Sequence, residues 1–139
     1  MPRLLRLVRS AVYAFLIWAI ERILGVRHTR DPLATVKQSV AENKAVLVDV
    51  REVREWGNGH VSGAVFLPLS RIRAGISADE LMRLLPRDQP IYLHCGAGGR
   101  CLLAASSLRK HGYDLRPLKP GFDELVQFGF PRAVEGGQP

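Results

Sequence analysis

Hydrophobic positions along this chain fall into two kinds of pattern that alternate after a single long apolar run near the start. The run goes unbroken from Ala11 to Ile20. Beyond it, AVLVDV (45–50) is continuous and rich in β-branched residues, the pattern of a strand buried on both faces. GAVFLPL (63–69), stopped by Pro68, QPIYLHC (89–95) and DLRPLK (114–119) predict three further strands. Between them lie helical spacings. DPLATVKQSVAEN predicts a helix with Asp31 as N-cap, Pro32 at the first helical position and Leu33, Val36 and Val40 inward. REVREWGNG reads as a short helix ending at glycine. SADELMRLLPRD opens with a capping Ser77 and Glu80 three residues on, and ends before Pro86. RCLLAASSLRKHGY is a helix closed by Gly112, and GFDELVQFGF a closing helix. Strands alternating with helices predict an α/β fold, a small parallel β-sheet flanked by helices on both faces.

The first thirty residues stand apart. Arginines recur every third residue (Arg3, Arg6, Arg9), and the apolar stretch can be extended from Ser10 to Val26 only by including Glu21 and Arg22. As a helix, such a segment reaches about 25 Å, short of a hydrocarbon core of about 30 Å unless its arginines snorkel. Three readings stand: a short signal-anchor or interfacial helix with Tyr13 and Trp18 at the interface, a cleaved targeting segment that leaves a soluble protein, or an amphipathic helix packed on the domain or on another copy. The expectation taken forward is membrane association through residues 4–26. Basic residues flank both ends almost equally and set no orientation. The chain thus divides into a hydrophobic and basic helix over 1–30, a single domain over 31–133, and a flexible tail over 134–139, with the oligomeric state open.

Charge changes the picture less than its total suggests. The net charge is +7, but six arginines against the single acid Glu21 crowd residues 1–30, and the rest of the chain is nearly neutral. No basic stripe with interleaved aromatics crosses the domain, so nucleic acid is not an expected partner. Two cysteines, Cys95 and Cys101, are too few for a disulfide scaffold. No zinc-like spacing joins them to the histidines, and neither a metal nor a cofactor is expected.

Their chemistry is local. In HCGAGGRC, Cys95 falls at the end of a predicted strand, where the carboxyl edge of a parallel sheet is the reactive edge. Gly96, Ala97, Gly98 and Gly99 leave the backbone free to curl its N–H groups inward at a helix N-terminus, making an anion nest. Arg100 adds a positive charge. Together these favour a Cys95 thiolate, a nucleophilic sulfur. Taken singly, each feature has a plain structural reading: a buried cysteine, a tight turn, a solvated arginine.

The longer pattern resembles the rhodanese-like sulfurtransferase family. Its spacing of Asp49, Arg51 and Glu52, then Gly59–His60, Gly63–Ala64 and Pro68, is followed by a loop that begins at a cysteine matched by Cys95. The resemblance continues into PGFDELVQFGFP, with Pro120–Gly121 where the family has a double glycine and Leu125 where it has tryptophan. It implies a rhodanese-like fold and a sulfurtransferase. Cys95 would take a sulfane sulfur from a small donor (thiosulfate, a persulfide or a polysulfide) as a persulfide and pass it to a thiol or cyanide acceptor. Arg100 and the loop of residues 96 to 101 would hold the anion. Asp49, Arg51 and His60 match family positions that are mostly architectural. Cysteine-dependent phosphatases also pair histidine with cysteine, but place five residues between cysteine and arginine where this chain has four. Cys101, where the family has serine or threonine, reads either as a small residue in the first helical turn or as a resolving thiol. Two other functions therefore stay in view: a non-catalytic module of the same fold that binds a protein at a membrane, and a Cys95/Cys101 redox protein.

Overall fold

The computed structural model describes residues 2–134, so the expected tail falls almost wholly outside the described residues. A long helix α1 (Pro2–Leu24) leads into α2 (Leu33–Ala41), β1 (Val46–Asp49), α3 (Val53–Gly57), β2 (His60–Val61), β3 (Val65–Phe66), α4 (Leu69–Arg73) and α5 (Ala78–Leu84). Then come β4 (Ile91–His94), α6 (Arg100–Leu108), β5 (Leu115–Pro117), α7 (Phe122–Phe128) and β6 (Arg132–Ala133). Four strands form a parallel sheet in the order β3-β1-β4-β5, with Asp49 opposite His94 at the carboxyl edge.

Alternation along the central strands sorts the core into two layers. Val48, Ile91 and Leu93 point to the side filled by Leu69 and Ile72 of α4, Leu81 of α5 and Ala104, Ala105 and Leu108 of α6. Leu47 and Tyr92 point to the other side, where Val36 of α2 and Leu125 of α7 pack. The continuous apolar runs of the sequence are thus strands covered on both faces.

Several local expectations are corrected. Asp31 does not cap α2; Pro32 occupies that position. The Asp31 carboxylate instead accepts from the Tyr92 hydroxyl at 2.7 Å and the Arg116 guanidinium at 2.9 Å, tying the start of the domain to β4 and β5. Ser77 does cap α5, accepting from the Glu80 amide at 3.1 Å, but the Glu80 carboxylate leaves the cap to pair with Arg71. The antiparallel pair β2–β6 and the short helix α4 were not anticipated. Each strand of that pair has only two residues, too few to show a period.

The N-terminal segment is a helix, and it packs on the domain: α1 meets α6, with Ile17 buried. Among the described residues no helix is long and apolar enough to cross a membrane. The spanning form of the expectation over residues 4–26 is left without support. The arginines of its first turns and the Glu21–Arg22 pair leave too short an uncharged stretch.

Candidate active-site loop

Cys95 leaves β4 at the carboxyl edge of the sheet and is 1% exposed. Its carbonyl accepts from the Phe122 amide at 3.0 Å, and the residue before it is held by the bond from the Val50 amide to the His94 carbonyl at 3.1 Å. The loop then turns so that the Gly98 amide donates to Cys95 Sγ at 3.0 Å. Gly98 needs φ +89° to do this, and a Cβ there would lie 2.9 Å from the Lys119 carbonyl oxygen. Glycine is therefore required twice over, by backbone conformation and by space.

A buried thiol would ordinarily resist ionisation, yet the Cys95 thiol is lowered to about 5. The largest cause is a hydrogen bond from the Cys101 side chain, followed, against the opposing cost of burial, by the backbone amides of Cys101, Ala97 and Gly98. Cys101 is itself fully buried at the start of α6, and its thiol is raised well above the usual range, first by donating to Cys95 and then by burial. The Cys101 sulfur also lies 3.2 Å from the Gly98 carbonyl oxygen and 3.3 Å from that of Leu118. The thiol therefore donates to backbone carbonyls, while its proximity to Cys95 favours the anion there. Of the residues expected in the nest, Ala97, Gly98 and Cys101 supply donors, whereas Gly96 and Gly99 give the chain room. A Cβ on Gly121 would overlap the Gly96 carbonyl outright, and one on Gly99 would touch Ile17 of α1 at 3.9 Å.

Arg100 does not present a free cation to the loop. Its Nη1 and Nη2 donate to Glu55 Oε1 and Oε2 of α3 at 2.5 and 2.9 Å, in a half-exposed pair beside Gly96. Glu55 is held down at about 2, chiefly by that hydrogen bond. The sequence carried no sign of this partner, which stands forty-five residues away on a different helix.

Asp49, Arg51 and His60 lie where architecture requires them. Arg51 Nη2 and Nε bind the fully buried Asp49 carboxylate at 2.9 to 3.1 Å, Nη2 also donates to the Gly59 carbonyl at 2.7 Å, and the guanidinium lies 4.2 Å over the Phe122 ring. This ties β1, the turn before β2 and α7 together under the loop. His60 stacks on Trp56 at 3.6 Å with its Nδ1 3.0 Å from the Trp56 carbonyl, and makes no hydrogen bond to Cys95. His94, fully buried, has its Nε2 3.6 Å from Asp49, too far for a good hydrogen bond, and burial pushes its imidazole below the usual value.

The N-terminal helix contributes to the site, which the sequence did not suggest. His28, just beyond α1, donates from Nε2 to the Gly98 carbonyl at 2.6 Å, while its Nδ1 lies 3.2 Å from Glu21 of α1. Tyr13 of α1 has its hydroxyl raised by burial and then by the charges of Cys95 and Cys101. A cavity of about 530 Å³ opens here between Tyr13, Ile17, Trp18, His28 and Lys119. Among the described residues no group of three or more His, Cys, Asp or Glu side chains is placed to hold a metal ion.

Comparison with known proteins agrees with this geometry. The family model described as Rhodanese-like domain matches residues 33–127. The uncharacterized protein YqhL of Bacillus subtilis is 33% identical over 110 residues, covering 78% of this chain and 82% of that protein. The putative sulfur carrier protein YrkF of the same organism is 32% identical over 82 residues, 58% of this chain but only 41% of YrkF. In fold, the human single-domain sulfurtransferase TSTD1 superposes with a TM-score of 0.58 at 24% identity, covering 68% of this chain and 92% of that one.

Two outcomes are expected. Alkylation of Cys95 by iodoacetamide should follow its thiolate, rising through pH 5 and level above about pH 6. A rate still climbing between pH 8 and 9 would mean an ordinary thiol. Gly121→Ala should force the loop aside, lower the urea midpoint by an amount equivalent to about 1–3 kcal/mol, and move that alkylation inflection upward. An unchanged midpoint and inflection would show that the backbone contact at Gly96 is dispensable.

Proposed function

This chain belongs to the rhodanese-like domain family, and from that membership we propose that it is a sulfurtransferase working through a persulfide on Cys95. The observation that carries the reading is a nearly inaccessible sulfur whose ionisation is lowered to about 5 by donors from its own loop and from Cys101. Stabilising an anion at that cost is of little use to an inert core cysteine.

In the proposed reaction the Cys95 thiolate attacks the outer sulfur of a donor R–S–SH. The donor S–S bond breaks, R–S⁻ leaves with the electron pair, and Cys95–S–SH forms. With thiosulfate the leaving group is sulfite. A thiolate acceptor then attacks the outer sulfur, carries it away as a new persulfide and regenerates the Cys95 thiolate. The amides of Ala97, Gly98 and Cys101 are placed to hold the sulfur anion at either stage, without reorganising. The names of the relatives, a putative sulfur carrier and a tRNA sulfurtransferase among them, support sulfur transfer as the chemistry and a thiol or carrier as the acceptor.

The contact between Cys101 and Cys95 favours a second reading, dithiol redox chemistry. The two separate cleanly. After treatment of reduced protein with glutathione persulfide or thiosulfate, peptide mass spectrometry should find one added sulfur on Cys95, lost to cyanide or a thiol. Cys101→Ser, which keeps a donor, should retain this and Cys95→Ser should abolish it. A Cys101→Ser protein without sulfur loading but with a folded domain would move the assignment to redox chemistry, and a wild-type Cys95 inert to both donors would leave a binding module.

An interfacial position for α1 is the localisation its outer surface supports. Leu4, Leu5, Val8, Val12 and Phe15 are exposed among Arg3, Arg6 and Arg9, an apolar and cationic combination suited to an anionic lipid surface. The full chain should co-sediment with vesicles containing phosphatidylglycerol and be released at high salt. Absence of sedimentation with such vesicles would end that reading.

A further inference from the structure

The pair that occupies Arg100 decides which sulfur donors the site can accept. The half-exposed Arg100 and Glu55 face each other beside Gly96, and Gly96 and Ala97 are the exposed residues of an otherwise buried loop, so the pair stands at its open side. The Nη1–Nη2 fork of Arg100, the edge that would grip an oxyanion at two points, already binds both oxygens of the Glu55 carboxylate. The remaining charges nearby are unfavourable to anions. Glu52, the N-cap of α3, held by the Ser70 hydroxyl and amide, adds to the field that raises Arg100, and the Cys95 thiolate adds another negative charge. Arg51, the cation beneath the loop, is spent on the buried Asp49, and Lys119 lies across the loop at the α1 cavity. Residues 96 to 99 carry no charged side chain at all.

We propose that Glu55 is a donor-selecting residue: by holding Arg100 in a two-point ion pair at the mouth of the loop, it disfavours dianionic thiosulfate and leaves persulfides, whose reacting end carries at most one charge, as the donor class. The inference rests on the sulfur-transfer reading above and names the substrate class of that site. A thiosulfate dianion entering this mouth meets two carboxylates and a thiolate, and the guanidinium that stands there is already paired with Glu55. To use Arg100 it must displace a carboxylate already seated in fork geometry. A persulfide needs no such exchange, because its transferable sulfur is met by the amides of the loop.

Glu55 also accepts the Glu52 amide at 3.1 Å at the start of α3, so a purely structural role is the competing explanation. Glu55→Gln keeps an acceptor for that amide while removing the charge that holds Arg100. The experiment measures kcat/KM for thiosulfate and for glutathione persulfide in the wild type, Glu55→Gln and Glu55→Ala, with circular dichroism on each. The ratio of the two donors should shift toward thiosulfate by roughly five- to ten-fold in both variants, carried mainly by a lower thiosulfate KM, with persulfide turnover nearly unchanged. A parallel loss with both donors, or an unaltered ratio, would overturn the proposal and leave Glu55 as a cap for α3. A second readout needs no turnover: sulfate should protect Cys95 from iodoacetamide at lower concentration in the variants than in the wild type. Failure of the wild type to load sulfur from either donor would instead strike the function itself.

Discussion

Burying one negative sulfur is the requirement around which the molecule is arranged. Cys95 has almost no contact with solvent, so water cannot stabilise its thiolate, and burial alone would keep it protonated. The protein replaces water with the Gly98 amide, fixed 3.0 Å from the sulfur, and with the surrounding loop amides and Cys101 thiol that favour the anion. Amides can converge on one atom only if the chain turns tightly, which is why Gly98 sits at positive φ with no room for a side chain. The turn is then braced from outside by backbone, since Gly121 abuts the Gly96 carbonyl and the Phe122 amide binds the Cys95 carbonyl.

The supporting layers follow from the same need. Asp49 and Arg51 form a buried ion pair beneath the loop, and Arg51 extends it to the turn at Gly59 and the ring of Phe122. A buried pair of this kind is weak evidence for added stability, but it fixes the relative placement of the elements that carry its partners. Here those elements are β1, the β2 approach and α7, and α7 is the one whose start presses on the Cys95 loop. His60 serves the same frame by stacking on Trp56 beside α3. All three are bonded or stacked within this frame.

The rim has a different logic. Arg100, Glu55 and Glu52 are partly exposed and mutually paired or capped, so the field at the entrance is weak and tilted toward negative. On another side α1 approaches the loop through Ile17, Tyr13 and the His28 contact to Gly98, and so a helix outside the family match shapes access to the sulfur. The interior that stabilises an anion and the rim that filters anions are separate devices. The first depends on backbone geometry and the second on side-chain charge.

How much was legible in the chain beforehand divides along the range of the interactions. Continuous apolar runs such as AVLVDV and IYLH marked strands covered on two sides, and HCGAGGRC marked a thiol at a turn with inward amides, because periodicity and glycine placement act over a few residues. The family spacing from Asp49 to Pro68 located the framework. Contacts between distant segments left no such trace. Asp31 looked like a helix cap but bonds Tyr92 and Arg116 across the sheet; Arg100 looked aimed at the sulfur but is claimed by Glu55; Cys101 read as either a small residue or a resolving thiol, and its sulfur donates to the Gly98 and Leu118 carbonyls. The first thirty residues read as a membrane segment or as a helix packed on the domain, and the contact of α1 with α6 and the loop is tertiary. The sequence by itself determined the main strands and helices, the candidate nucleophile and the turn that carries it, since these are local consequences of residue type. Only the tertiary structure decided where each charge and proton is spent, because a side chain with several acceptors within its reach is assigned by which of them folding brings nearest.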